Sequence, residues 1–221
     1  MSASLPEDPT LDEVRAFLAP SLAAQAAFDG WTEKAVLAAA ELAGVDSDLA
    51  RLAFNDGPVD MIDAWFQAID EQMAAKYSAD ELAAMKVRQR IKALVEARLD
   101  ILYADREGLR RAVAILAAPP HLRGAAKMGW RAADRMWRLA GDTATDYNHY
   151  TKRTLLSGVY GSTISVFLDD ESENFAETRA FLGRRIENVM QFEKVKAKVT
   201  GRGGDRFSMA RFIGRLRYRG A

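Results

Sequence analysis

The sequence predicts an all-α protein, and three observations indicate this fold class. Apolar residues recur at spacings of three and four through nearly every segment, which is the period of a helix with one buried face. Pro and Gly are scarce outside a few junctions between these segments. No alternating apolar and polar run indicates a sheet. At 221 residues, 49% of them hydrophobic, the chain is long enough to bury a sizeable core.

The N-terminal part has the outline of a helix-turn-helix unit. A first helix is expected over residues 11–28, with Pro20 kinking it or splitting it in two. Three more helices are expected over residues 32–43, 48–54 and 59–76, and Gly44 ends the first of these. Two short helices between two longer ones resemble the N-terminal domain of the TetR regulators in spacing and order.

The charge of this unit disfavours DNA binding. Residues 30–76 hold nine acidic residues and three basic ones, Lys34, Arg51 and Lys76. Contact with phosphate dominates DNA affinity, and the DNA backbone would repel a unit with this excess of negative charge. A purely structural use of the helix-turn-helix outline is therefore the favoured interpretation, and no nucleic-acid partner is expected.

The remainder of the chain is read as further helices. Ser78 and Glu81 form a capping-box pattern that predicts the start of a long helix, which runs to about Tyr103. The charged residues of this helix, Arg98 among them, are predicted to face solvent. Further helices are expected over residues 107–117, 125–140 and 174–199, followed by a flexible joint at 200–205. The predicted domains are a helix-turn-helix-like unit at 1–76, a helical domain at 77–199, and a joint with a membrane helix at 200–221.

A basic amphipathic helix is predicted at the C-terminus. The net charge of zero hides an asymmetry, because residues 194–221 hold nine basic residues and one acid. Residues 206–219 place apolar side chains on one arc of a helix and arginines on the rest, a pattern typical of helices that lie on anionic membranes. The alternative is an ordinary helix docked on the acidic body of the protein. The predicted membrane-binding residues are Met209, Arg211, Phe212, Ile213, Arg215 and Leu216.

Several kinds of chemistry are disfavoured. The chain has no cysteine and only two histidines, and it lacks the glycine-rich phosphate loops and nucleophile motifs of common enzymes. Asp142, Asp146 and His149 have spacings that place them on one helix face, which is the sharpest metal or acid–base hypothesis. Helix capping by Asp142 is the favoured alternative, because two carboxylates and one imidazole make a poor metal site. We expect no catalytic residue, metal or cofactor.

Residues 137–170 combine a dense polar and aromatic segment with an almost uncharged run. The polar segment carries Trp137, Ala140-Gly141-Asp142, Asp146-Tyr147-Asn148 and Tyr150-Thr151-Lys152-Arg153, and it is followed by Val159-Tyr160, Asp169-Asp170, Thr178, Phe181-Leu182 and Arg185. This pattern closely resembles a ubiquinone-biosynthesis accessory family that has a TetR-like fold without its regulatory role.

The resemblance implies a homodimeric, all-α, lipid-binding protein of bacterial origin that is not itself a catalyst, with the domain at 77–199 serving lipid binding and dimerisation. It implies isoprenoid lipid or quinone as ligand, and a di-iron demethoxyubiquinone hydroxylase as the partner to which quinone intermediates are presented. It implies a cytoplasmic protein, peripheral on the inner face of the cytoplasmic membrane. The competing interpretation is a TetR-like, ligand-responsive transcription regulator.

The resemblance also implies site residues. Asp146, Asn148, Tyr150 and Arg153 match the motif whose surface patch contacts the hydroxylase, and His149 stands between them where the family commonly has Trp. An imidazole gives less apolar contact than an indole, so this departure bears on the strength of the contact. A lipid tunnel is expected from Trp137, Leu155, Leu156, Val159, Tyr160, Ile164 and Phe167, although a packed core would use the same residues.

Overall fold

The computed structural model describes residues 5–143 and 147–201, with the side chains of residues 147, 148, 190 and 192–201 left out. The described residues form ten α helices, two short 3-10 helices and no strand, which confirms the predicted all-α class. The α helices are α1 Leu11–Asp29, α2 Glu33–Ala43, α3 Ser47–Ala53, α4 Pro58–Ala75, α5 Ala79–Ala84, α6 Val87–Leu102, α7 Arg106–Leu116, α8 Leu122–Leu139, α9 Tyr147–Asp169 and α10 Ala176–Gly201. The 3-10 helices are Pro119–His121 and Glu173–Phe175.

The chain divides into two compact units, Met1–Gly183 and Arg184–Ala221. The contacts described below belong to the first unit. The three-part division expected from the sequence, with boundaries after residues 76 and 199, stays a prediction.

Helix α1 is the centre of the N-terminal part. It runs uninterrupted through Pro20 and packs against α2, α3, α4 and α7. Gly44 ends α2 in the left-handed conformation (φ 67°, ψ 29°), as the sequence predicts, because a residue without Cβ adopts this conformation without strain. Trp31 and Trp65 meet in the core with ring centroids 5.3 Å apart.

A close approach of α1 and α7 depends on Gly108. A Cβ at this position would overlap the carbonyl oxygen of Ala23 and lie 3.1 Å from its Cβ. The carbonyl oxygen of Gly108 also accepts a hydrogen bond from Nε1 of Trp31 at 3.0 Å. A glycine here lets the two backbones meet, because any side chain would have to displace backbone atoms of α1.

The long helix expected from Ser78 to Tyr103 is in fact two helices, α5 and α6. The capping box of Ser78 and Glu81 forms as predicted, but Met85 is extended (φ −94°, ψ 153°) and separates the helices. The guanidinium of Arg90 stabilises the break, because Nε donates to the carbonyl oxygen of Met85 at 2.9 Å and Nη2 to that of Ala83 at 3.0 Å. Those carbonyls are the unpaired acceptors at the end of a helix.

The predicted solvated face of α6 is wrong at Arg98. This side chain is only 1% exposed and forms an ion pair with Asp70 of α4, which is itself buried. A buried arginine with a carboxylate partner costs far less than an unpaired one, so the pair is compatible with the core. Spacing along α6 alone could not reveal it, because the partner lies 28 residues away.

Candidate functional site

Helices α8 and α9 pack against each other and carry most of the motif found in the sequence. Ser157 on α9 donates from Oγ to the carbonyl oxygen of Gly129 on α8 at 3.1 Å. Nearer the start of α9, Nε1 of Trp137 donates to the carbonyl oxygen of Lys152 at 3.1 Å, and Nζ of Lys152 lies 5.2 Å from the centroid of the indole ring. These contacts fix the position of α9 along α8.

An apolar pocket of about 480 Å³ lies between helices α4, α6, α7, α8 and α9. Its size falls within the range of roughly 300–1,000 Å³ that small-molecule sites occupy. Buried residues such as Leu109, Met128 and Ala132 form its inner part, and exposed residues such as Leu122 and Gly161 mark its mouth. The other lining residues are Phe66, Arg98, Val113, Leu116, Ala117, Ala125, Ala126, Gly129, Trp130, Thr154, Ser157, Tyr160, Ile164 and Ser165.

The residues predicted for the lipid tunnel fall into two groups. Tyr160 and Ile164 line the pocket. The others do not line it: Phe167 is fully buried and its ring meets that of Phe175 at 4.9 Å, and Trp137 contacts Lys152 instead. Leu156 and Val159 are buried and Leu155 is half-buried, all outside the pocket lining. Both alternatives left open by the sequence, wall and core, therefore occur within this set.

Among the described residues, the pocket lining contains one charged residue, Arg98, which the sequence analysis predicted to face solvent. Its Nε donates to the hydroxyl of Tyr160 at 3.0 Å, and its Nη1 donates to Asp70. The guanidinium carbon lies 5.0 Å from the centroid of the Tyr160 ring. The other oxygen of Asp70 accepts from Nε of Arg131 at 3.3 Å, and Nη1 of Arg131 donates to Asp63 at 2.6 Å. Arg98 and Tyr160 thus form the polar floor of an otherwise largely apolar pocket, and ion pairs connect this floor to Asp70, Arg131 and Asp63.

A second buried network holds the start of α9. Arg153, only 1% exposed, donates from Nε to Asp134 at 2.5 Å and from Nη1 to Asp142 at 3.0 Å. Nη1 also donates to the carbonyl oxygen of His149 at 3.2 Å, and Nζ of Lys152 donates to Asp142 at 2.6 Å. Burial raises the pKa of Asp142, but the hydrogen bonds and positive charges of Lys152 and Arg153 outweigh it and lower the pKa.

This network bears on the metal hypothesis for Asp142, Asp146 and His149. The carboxylate of Asp142 is paired with two cations, which leaves it a poor metal ligand. Asp146 lies outside the described residues. Within the ranges that the structure describes, no cluster of three or more His, Cys, Asp or Glu side chains could hold a metal ion.

Three rings form an aromatic patch beside the pocket, made of Trp130, His149 and Tyr150. The centroid of the Trp130 ring lies 6.4 Å from that of His149 and 6.0 Å from that of Tyr150, and the last two rings meet edge to face at 5.2 Å. Tyr150 is 61% exposed, so the patch reaches solvent. Trp130 also lines the pocket, which makes the patch and the pocket neighbours.

The predicted partner-binding residues are thus placed differently from one another. His149 and Tyr150 belong to the aromatic patch, whereas the buried side chain of Arg153 lies beneath it. Asp146 and the side chain of Asn148 lie outside the described residues. So do the predicted membrane-binding residues Met209, Arg211, Phe212, Ile213, Arg215 and Leu216, with the helix expected over 206–219.

A larger cleft of about 850 Å³ lies elsewhere, between α1, α4 and α8. Ion pairs line it, including Arg131 with Asp63 and Asp70, and Arg135 with Glu71. An apolar ligand would desolvate these charges, and the cleft offers it in return only the small apolar side chains of Ala16, Pro20, Ala64 and Ala68. The apolar pocket is therefore the better candidate for a lipid.

Comparison with known proteins first defines the class. A TetR transcriptional regulator from Nitrosomonas europaea ATCC 19718 has a similar structure, with a TM-score of 0.59 and 23% sequence identity over 80% of this chain and 96% of that one. The similarity shows that this chain has a TetR-like helical fold. In the described ranges no helix combines the length and hydropathy needed to cross a membrane.

Sequence comparison then gives the family. Residues 122–193 match the COQ9 family model. The chain is 30% identical to the mitochondrial ubiquinone biosynthesis protein COQ9 of Rattus norvegicus over 79% of this chain and 58% of that protein. It is 27% identical to the mitochondrial ubiquinone biosynthesis protein coq9 of Schizosaccharomyces pombe over 86% of this chain and 75% of that protein. The chain thus spans somewhat more than half the length of the mammalian relative. The family resemblance predicted from the sequence is confirmed: this chain is related to the COQ9 proteins.

Proposed function

We propose that this protein binds an isoprenoid lipid in the apolar pocket and serves ubiquinone biosynthesis without being a catalyst. The observation that carries the proposal is the pocket itself, which lies largely in the segment that matches COQ9 and is lined by apolar side chains from the four helices α4, α7, α8 and α9. Burying an isoprenoid chain against such a wall contributes about 25 cal/mol per Å² of apolar surface removed from water.

Presentation of the quinone intermediate to a di-iron demethoxyubiquinone hydroxylase forms the second part of the proposal. The exposed Tyr150 and its neighbours His149 and Trp130 supply a docking surface, since aromatic side chains are enriched at the centres of protein interfaces. Trp130 borders both the pocket and the patch, so a ligand leaving the pocket at this side would emerge next to the docked partner. Replacing His149 with Ala is expected to weaken binding to the hydroxylase, and unchanged affinity would remove His149 from the interface.

Attachment to the membrane, as a peripheral protein on the inner face of the cytoplasmic membrane, rests on the basic residues at the C-terminus. Removing residues 205–221 is expected to abolish pelleting with anionic liposomes while leaving the first unit folded. Liposome pelleting by the truncated protein at the full-length level would contradict this part. We also propose the homodimer that the family resemblance implies, which native mass spectrometry would detect in the same experiment as bound lipid.

Native mass spectrometry of the purified protein, followed by lipid extraction, tests the proposed ligand. Gly161 lines the mouth of the pocket, and a Cβ there meets open space, so Gly161→Leu places a side chain in that mouth. Gly158 lies one turn earlier on α9, also faces open space and does not line the pocket, so Gly158→Leu is the matched control. We expect co-purified lipid with the wild type and the control, and at least several-fold less with Gly161→Leu. No lipid with the wild type, or equal amounts with both variants, would refute the pocket assignment.

A transcription regulator remains the competing function, and the charges of the helix-turn-helix-like unit disfavour it. Arg51, the basic residue of α3, is held by Glu33 at 2.7 Å and by Asp48 at 2.8 Å. A side chain that neutralises two carboxylates is a weak phosphate contact. Sequence-specific DNA retardation by the purified protein would support the regulator instead.

A further inference from the structure

Two side chains at the floor of the apolar pocket, those of Arg98 and Tyr160, have hydrogen-bond donors without an acceptor among the described residues. Arg98 is the one charged residue among the described residues that line the pocket, and Tyr160 lies against it. A guanidinium has five N–H donors, and Arg98 uses Nε for Tyr160 and Nη1 for Asp70. Among the described residues, Nη2 of Arg98 meets no acceptor.

The hydroxyl of Tyr160 also has a proton that is not used in a hydrogen bond to a described residue. It accepts the hydrogen bond from Nε of Arg98, so its own O–H can point elsewhere, and no described residue accepts from it. The ring of Tyr160 is buried and lines the pocket. Two donors on neighbouring side chains, Nη2 of Arg98 and the hydroxyl of Tyr160, are therefore available to one ligand oxygen.

The charged side chains around Arg98 indicate whether the ligand oxygen is neutral or anionic. Arg98 and Arg131 share Asp70, and Arg131 also pairs with Asp63, so two cations face two carboxylates. An anion entering the pocket would find no uncompensated positive charge and would lose its hydration in an apolar cavity. A neutral acceptor such as a carbonyl oxygen gains the two hydrogen bonds without that cost.

We propose that Arg98 and Tyr160 form a carbonyl anchor that holds the polar end of an uncharged amphiphile at the floor of the pocket, with its apolar chain directed to the mouth. The inference rests on the proposed lipid-binding function and adds the orientation and chemistry of the ligand. The mouth lies at Leu122 and Gly161, which are exposed, and the floor lies at Arg98 and Tyr160, which are buried. Both a quinone ring and the ester group of a glycerolipid offer such an oxygen.

The test compares ligands with and without a carbonyl on the full-length protein. The probes are ubiquinone with two isoprene units, a short-chain diacylglycerol, and the isoprenoid hydrocarbon of matching chain length that lacks the ring. The variant is Tyr160→Phe, which keeps the ring and removes the hydroxyl. Tyr103→Phe is the control, because Tyr103 is exposed and lines neither the pocket nor the aromatic patch.

We expect Tyr160→Phe to weaken quinone binding about tenfold, equivalent to about 1.4 kcal/mol, the order of one hydrogen bond in a buried site. Hydrocarbon binding should not change, and Tyr103→Phe should match the wild type with every probe. An equal loss with diacylglycerol would identify the anchor as a general carbonyl site, and a loss with quinone alone would identify it as a quinone site.

Infrared spectra at saturating ligand give a second measurement that does not depend on the stability of the variant. Hydrogen bonding lowers the stretching frequency of a carbonyl, so bound quinone should show a lowered band in the wild type and a band closer to the free value in Tyr160→Phe. Equal weakening of quinone and hydrocarbon, or an unchanged carbonyl band, would overturn the anchor while leaving the pocket intact. Failure of the wild type to bind either the quinone or the hydrocarbon would refute the proposed function, and the anchor with it.

Discussion

The buried side chain of Arg153 provides the sharpest test of how this protein supports its aromatic patch. Arg153→Met keeps much of the aliphatic volume and removes three hydrogen bonds, to Asp134, Asp142 and the carbonyl oxygen of His149. Hydrogen bonds to charged groups contribute about 1.5–3 kcal/mol each, and breaking a buried ion pair costs about 3–5 kcal/mol.

The structure places the expected loss at the lower end of that range. Asp142 keeps its ion pair with Lys152 at 2.6 Å, and Asp134 keeps its pair with Arg138 at 2.8 Å, so neither carboxylate is left without a cation. We therefore expect Arg153→Met to lower the free energy of unfolding by about 3 kcal/mol at pH 7. A domain with an ordinary stability of about 5–15 kcal/mol would remain folded.

Urea unfolding at several pH values is the assay. The pKa of Asp142 is lowered in the folded protein, so its ion pairs stabilise the fold above the unfolded value of about 3.9 and are lost as the pH falls through the folded pKa. The difference between wild type and variant should be full at pH 7 and should shrink below about pH 4, as Asp142 becomes protonated.

A matched arginine on the surface supplies the control. Arg51 also contacts two carboxylates, those of Glu33 and Asp48, but its side chain is 46% exposed. Arg51→Met is expected to cost much less than Arg153→Met, because exposed ion pairs contribute little. If Arg153→Met cost no more than Arg51→Met, or the same amount at pH 3 as at pH 7, the network around Arg153 would not stabilise the fold as its geometry indicates.

Two further predictions concern contacts at helix ends and crossings. Gly108→Ala is expected to destabilise the protein by about 1–3 kcal/mol in urea unfolding, because the added Cβ would meet the backbone of Ala23. Gly158→Ala is the control: its Cβ would lie in open space, and the variant should be as stable as the wild type or more stable by up to about 1 kcal/mol. A Gly108→Ala variant more stable than the wild type would contradict the close approach of the two helices. Asp170→Asn is expected to cost about 2–3 kcal/mol at pH 7, because Asp170 accepts hydrogen bonds from the backbone N–H and hydroxyl groups of Ser172 and Thr178. Burial alone would raise the pKa of Asp170, but these hydrogen bonds lower the pKa well below the usual range. The loss of stability caused by Asp170→Asn should therefore persist as the pH falls to about 4 and decline only below that. A loss that disappears by pH 5 would refute the role of these hydrogen bonds.

The fold could be predicted from the sequence to the extent that it depends on local signals. The apolar period gave the helices, and Gly44 and the Ser78 capping box ended and began them where expected. The break at Met85 was missed because the stabilising contacts come from Arg90, whose side chain reaches back to the carbonyls of the preceding turn. No periodicity in apolar residues records a contact of that kind.

The candidate site depended more on tertiary structure. The wall residues Tyr160 and Ile164 were indicated by the sequence, but the pocket takes most of its lining from α7 and α8, which only the packing of the helices brings together. Arg98 was missed because a charged residue on an amphipathic helix usually faces water. The signal that could have found it was the pairing of one arginine on α6 with one acid on α4, and sequence alone does not select Asp70 from the nine acids of residues 30–76.

Arg98 and Arg153 together indicate how a TetR-like scaffold would carry the proposed lipid site beside the proposed docking surface. Each arginine is buried and bound to carboxylates, Arg98 beneath the pocket and Arg153 beneath the aromatic patch. Trp130 lies between these two regions, lining the pocket and contacting Tyr150. A bundle held only by apolar contacts could shift its helices to close an empty pocket, whereas ion pairs of fixed geometry resist such a shift. On the proposed function, the two arginines therefore keep the pocket open and hold the aromatic patch beside it. Loss of Arg98 or of Arg153 should impair ligand binding and partner binding to different extents.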